Sequence, residues 1–195
     1  MTDYTLQPIP GKTLSRRLPE GTALVLEGGG LRGYYSCGVM EAFMEKDLLF
    51  PYIIGVSAGA ANALSYISGQ PGRSREIIEH YVGNPDYVST RNLLTKHTMF
   101  DFDYIFGTVP EKHIFFDWDK FHEQDTRFLT GAMNCADGKT VWFEKDTLKA
   151  PFMASRASCS VPLITKIQHY MGYDLLDGGI SDPIPIEKSL ADGNM

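Results

Sequence analysis

The chain has 195 residues, 43% of them hydrophobic and 22% charged, enough for one domain with a real core but short for two. A formal net charge of -6 implies no broad basic face, which argues against a nucleic-acid partner. Cys37, Cys135 and Cys159 are too few and too scattered for a disulfide framework or a zinc cluster, and suit a reduced, cytoplasmic protein.

Met1 to Gly21 is polar and proline-dotted, and lacks the apolar stretch of a secretory signal. It reads as a surface arm (1–21) ahead of a single domain (22–195). In Thr22 to Glu27 the apolar residues run continuously rather than alternating, as in a buried first strand. Gly33 to Lys46 follows as a helix, with Tyr35, Val39, Ala42 and Phe43 at helical spacing. Pro51 to Gly55 reads as the second strand and Ala58 to Ser68 as a small-residue helix. Residues 48–72 carry no charge, but Pro51, Asn62, Gln70 and Pro71 favour a buried strand, elbow and helix over a membrane span.

After the breaker Gly69 to Gly72 comes a helix over Arg73 to Val82. Asn84 to Trp118 reads as irregular and aromatic-rich. Its interleaved acidic residues favour core filling around an insertion over an acyl groove or a lipid-facing surface. Phe128 to Cys135 and Thr140 to Glu144 form a hairpin around Asp137-Gly138. Asp146 to Ser155 suits a helix, and His169 to Leu176 a strand ending at Asp177. Alternating strands and helices predict an α/β domain, a three-layer α/β/α sandwich around a largely parallel sheet.

Gly55-Val56-Ser57-Ala58-Gly59 fits G-x-S-x-G, directly after a strand and before a helix. That pattern sets a serine on a sharp turn, with Gly55 and Gly59 letting the backbone turn without a Cβ clash. Gly28-Gly29-Gly30-Leu31-Arg32-Gly33 fits the dinucleotide fingerprint G-x-G-x-x-G. The second strand, however, ends in the elbow and offers no ribose-binding carboxylate. The better reading uses unhindered amides near Gly29 and Gly30, at a helix amino terminus, to hold a developing oxyanion, with the Ala58 amide as a further donor. Arg32 serves equally as a loop anchor, an anionic head-group contact or a surface salt bridge.

None of the five histidines adjoins a glycine turn, so none stands out as a base for the serine. Asp177, at a strand end before Gly178-Gly179, is the better candidate. Asp174 within the strand and Asp182 in a Ser-Asp-Pro turn compete with it.

The three blocks at 28–33, 55–59 and 177–179, in that order, resemble those of the patatin-like phospholipases. Ala154 to Pro162 is similar to that family's helix before its last block, and the likeness spans roughly Thr22 to Glu187. The resemblance implies Ser57 as nucleophile and Asp177 as general base in a dyad without histidine. It implies a lipid or ester substrate and no metal or organic cofactor; transient contact of a cytoplasmic protein with a membrane surface is a separate expectation. It also implies further strand and helix after the last block, so a chain ending at Met195 is expected to be short for the family. A non-catalytic acyl-binding or regulatory protein on the same scaffold is the alternative. Oligomeric state is not legible.

Overall fold

In the computed structural model, which describes residues 8–195, Tyr52-Ile53-Ile54-Gly55-Val56 is buried at every position. An unbroken apolar strand is what a sheet covered on both faces requires. The elements run β1 (Arg16–Arg17), β2 (Ala23–Leu26), α1 (Tyr34–Glu45), β3 (Leu48–Leu49), β4 (Tyr52–Val56), α2 (Ala58–Ile67), α3 (Arg73–His80) and α4 (Thr90–Lys96). A π-helical run, Tyr104–His113, leads to α5 (Trp118–Glu123), β5 (Arg127–Asn134), β6 (Thr140–Glu144) and α6 (Met153–Ser158). The chain closes with β7 (Gln168–Tyr170), β8 (Tyr173–Asp177) and α7 (Ile186–Ala191).

Strands β2, β4 and β5 are parallel, while β6 and β8 run antiparallel to β5 and β7 antiparallel to β8. One side of β5 carries β6, paired over Leu129 to Met133. The other side is shared: Arg127 to Gly131 faces β4, and Ala132 to Asn134 faces β8. Because β4 runs with β5 and β8 against it, the two strands head towards each other along the same flank. Their last residues, Val56 and Asp177, lie opposite the adjacent Gly131 and Ala132. Chain direction alone therefore delivers Ser57 and Asp177 to one point.

Alternate β4 side chains point to opposite faces. Ile53 joins the main core with Met40 and Met44 of α1, Ile67 of α2 and Ala157 of α6. Tyr52 and Ile54 pack with Leu129 on the other face, where α7 lies against β2 and the Tyr52 hydroxyl donates to Asp192 Oδ2 at 2.8 Å. The α/β/α layering is present, with α7 as the thin second helical layer.

Several sequence expectations change in the structure. The arm's described part is pinned to the body: Leu14 is 2% exposed, and β1 pairs in parallel with β3. The first seven residues of that arm lie outside the described residues. Of the helically spaced apolar residues of α1, Tyr35 is 83% exposed while Phe43 packs against the core, and Cys37, Met40 and Met44 face inward. That helix carries apolar residues on two faces, and the sulfur-bearing one wins the core.

The middle segment is more regular than expected, with α4 capped by Ser89 and a π-helical run containing Pro110. The helix expected from Asp146 forms only from Met153, because Pro151 disfavours helical backbone before it. The strand expected over His169 to Leu176 is a hairpin, folded at Met171-Gly172, both with positive φ (49° and 82°).

A Cβ on Gly59 would lie 2.5 Å from Glu27 O and 2.6 Å from Leu26 O, so α2 sits directly on the end of β2. Gly59→Ala is expected to cost about 1–3 kcal/mol through overpacking. Gly38, exposed within α1 with open space around it, gives the contrast. Gly38→Ala is expected to add about 0.5–1 kcal/mol. Urea midpoints of the two variants should move in opposite directions.

Candidate active site

Ser57 ends β4 and opens α2 with φ 52° and ψ -131°, a conformation that L-residues avoid. Something must hold it there. Its backbone N–H donates to Ser158 Oγ at 2.7 Å, and Ser158 Oγ donates to Gly131 O at 2.6 Å. The end of α6 thus ties the elbow to β5. The same segment fixes the other strand, since Asp177 N donates to Ser160 O at 2.8 Å. Ser158 and Ser160 lie in the Ala154 to Pro162 block, but sequence reasoning gave them no part.

The serine hydroxyl donates to Asp177 Oδ2 at 2.7 Å, and the Gly179 amide donates to Oδ1 at 2.8 Å. Ser57 is 8% exposed and Asp177 5%. Burial pushes the Asp177 carboxyl above its ordinary range, and the two hydrogen bonds offset part of that rise. Close packing makes the approach possible: a Cβ on Gly178 would lie 2.2 Å from Gly131 O, and one on Gly55 2.8 Å from Ala60 N.

The competing groups lie elsewhere. Asp174 is exposed and pairs with His169, while Asp182 donates its N–H to Gly178 O. His80 pairs with Glu76, His113 lies against Tyr81 and Tyr104, His122 stacks on Trp118, and His97 ends α4. Among the described residues no group of three or more His, Cys, Asp or Glu could hold a metal ion.

The glycine block folds as a turn of 3-10 helix, Gly30–Gly33, leading into α1. Gly28 packs against the serine, with a Cβ there 3.1 Å from Ser57 Cβ, and its N–H donates to Pro183 O. The Gly29, Gly30 and Ala58 amides, by contrast, have no hydrogen-bond acceptor among the described residues. Asn62 of α2 donates to Gly33 O at 3.0 Å, tying the turn to the elbow helix. Arg32 is exposed, and its guanidinium lies over Gly29 with no ion pair among the described residues.

Ser57, Ala58 and Gly30 border a cavity of about 180 Å³. Its walls are mainly apolar and include Leu31, Ile77, Phe102, Phe106 and Phe152. The aromatic middle therefore serves both readings: Phe116 and Phe121 fill the core, while Phe100, Phe102 and Phe106 line the cavity.

The patatin-like phospholipase family profile matches residues 24–189, and the chain belongs to that family. It is 29% identical over 193 residues to an uncharacterised Escherichia coli protein, YjjU, covering 97% of this chain and 54% of that protein. An uncharacterised NTE family protein of Mycobacterium tuberculosis is 27% identical over 171 residues, covering 84% of this chain and 44% of its own length. The chain thus spans about half the length of these relatives. Among solved structures, VipD from Legionella pneumophila aligns with a TM-score of 0.45 at 14% identity, covering 93% of this chain and 51% of that one.

The raised Asp177 carboxyl has a consequence for stability. Between the ordinary value of 3.8 and its higher folded value, the native state keeps a proton that the unfolded chain has lost. Stability attributable to Asp177 therefore falls as pH rises through that window, and the cost persists above it. Asp177→Asn removes the buried charge and is expected to melt above the parent at neutral pH, with the gap closing on acidification. A melting point at or below the parent's at neutral pH would contradict this account.

Proposed function

We propose that this protein hydrolyses carboxylic esters of lipids through a Ser57–Asp177 dyad. The observation that carries the reading is the 2.7 Å hydrogen bond from Ser57 Oγ, at the edge of an apolar cavity, to the buried Asp177 carboxylate. Membership of a phospholipase family and the free amides beside the serine support it further.

In the first step Ser57 Oγ attacks the acyl carbonyl carbon while its proton passes to Asp177 Oδ2. The carbonyl oxygen becomes negative and accepts from the Gly29, Gly30 and Ala58 amides, each worth about 3 kcal/mol in such sites. Protonated Asp177 then gives its proton to the departing alcohol oxygen as the C–O bond breaks. Water attacks the acyl-serine in the second step, losing a proton to Asp177, which returns it to Ser57 Oγ as the carboxylic acid leaves. The glycines at 55, 59, 178 and 179 hold the geometry, and Arg32 lies at the loop where an anionic head group would pass. Free thiols at Cys37, Cys135 and Cys159 support a cytoplasmic setting, with substrate met at a membrane surface. Among the described residues no helix is long and apolar enough to cross a membrane.

A fluorophosphonate is expected to label Ser57, with the adduct located by peptide mass spectrometry. Hydrolysis of a short-chain p-nitrophenyl ester should fall at least about 10³-fold in Ser57→Ala and in Asp177→Asn. Labelling at another residue, or turnover surviving both changes, defeats the reading. Because the base must be ionised, kcat/KM should rise with pH through an apparent pKa above the usual aspartate range and then level off. An acid limb at or below that range would separate Asp177 from proton transfer.

A further inference from the structure

Arg73, the first residue of α3, lines the same cavity as Ser57 and is 5% exposed. A buried guanidinium ordinarily has a carboxylate beside it. Arg73 has none among the described residues: Nη1 donates to Ser65 Oγ at 3.0 Å, Nη2 to Ile114 O and Nε to Phe115 O, each at 3.4 Å. Its guanidinium lies over the Phe116 ring, 5.1 Å from the centroid. Three of its five N–H groups are engaged, and two remain.

Phe115 O does not depend on this charge, because Gln70 Nε2 already donates to it at 2.9 Å, which leaves Ile114 O as the one carbonyl that Arg73 alone caps among the described residues. Burial lowers the guanidinium pKa only to about 10, so the cation persists at neutral pH. The Ser74 and Tyr87 side chains border the same cavity, and Tyr87 is close enough to Arg73 for their charges to couple. Burial also raises the Tyr87 phenol, which keeps it a neutral donor.

We propose that Arg73 makes the inner end of the cavity an anion-receiving subsite, so that the favoured acyl chain ends in a carboxylate. The orientation of that chain rests on the ester-hydrolase reading, with the carbonyl at Ser57. Ser65, which contacts Arg73, is eight residues along α2 from Ser57. At 1.5 Å per residue the two lie about 12 Å apart along the helix. An extended chain advances roughly 1.2 Å per bond, so the carboxylate belongs about ten bonds from the ester carbonyl. Apolar walls suit the intervening methylenes, and Arg73, Ser74 and Tyr87 offer N–H and O–H donors to the terminal oxygens.

Calorimetric titration of Ser57→Ala protein with monomethyl decanedioate and with methyl decanoate tests this, because the two esters share length and differ in the terminal group. The anionic ester is expected to bind at least about tenfold tighter. Arg73→Met in that background should erase the preference, and Arg73→Lys should keep part of it. Equal or weaker binding of the anionic ester, or a preference undiminished in folded Arg73→Met, overturns the proposal. If Arg73→Met fails to show a cooperative melt, the parent comparison decides. Since Ser57→Ala performs no acyl transfer, the titration stands apart from the labelling experiment. Loss of Ser57 labelling would sink the hydrolase reading and leave the anion subsite to its own result.

Discussion

Strands β4 and β8 share one flank of β5 and run towards each other, so the chain after Val56 and the chain at Asp177 must meet or diverge at Gly131 and Ala132. They meet. A parallel neighbour above β4 would have occupied the rest of that flank and left no place for a second strand end. The antiparallel turn of β8 is therefore what allows a side chain from residue 177 to reach the hydroxyl of residue 57. Gly178, where a Cβ would meet Gly131 O and Val56, lets the strand ends close in, and α6 holds both ends through Ser158 and Ser160.

In the proposed reaction, this arrangement lets a carboxylate stand where histidine is more familiar. A solvated aspartate is too weak a base for an alcohol, and burial raises its proton affinity. Full burial without partners would go further and neutralise it at working pH. The Gly179 amide and the Ser57 hydroxyl hold the charge in check while leaving the carboxylate aimed at the Ser57 hydroxyl. The cost is carried by the fold, since a charged group inside the protein and a serine in a strained conformation both lower stability. Strain of the Ser57 kind costs on the order of 1–3 kcal/mol.

Much of the site was legible in the sequence because each part depends on short-range chemistry. A serine between glycines after an apolar strand can be read locally, and so can a glycine turn at a helix start. The pairing of 57 with 177 could not be derived from spacing. It follows from strand direction, and the hairpin that sets this direction was hidden at Met171-Gly172, where a single glycine marks the turn. The buried face of α1 is hidden for a related reason: two apolar faces are indistinguishable until the sheet chooses one. Ser158 was visible within a recognised block, yet a serine that bonds a backbone amide has no signature of its own.

Arg73 shows where local reading fails most completely. In sequence it follows Pro71-Gly72 and precedes Ser74-Arg75-Glu76, so it looks like a solvated helix start. Only the return of the chain through residues 114–116 encloses it, stacking its guanidinium on Phe116 and setting its donors on carbonyls. The segment just before this return, Phe100 to Pro110, lines the cavity that begins at Ser57. Neighbouring stretches of one long-range segment therefore line the apolar chamber and bury a positive charge in its wall. A chamber meant only for hydrocarbon would gain from a leucine at that position, since desolvating a guanidinium costs far more than desolvating an alkyl group. That imbalance is the physical reason to expect a negative group to enter.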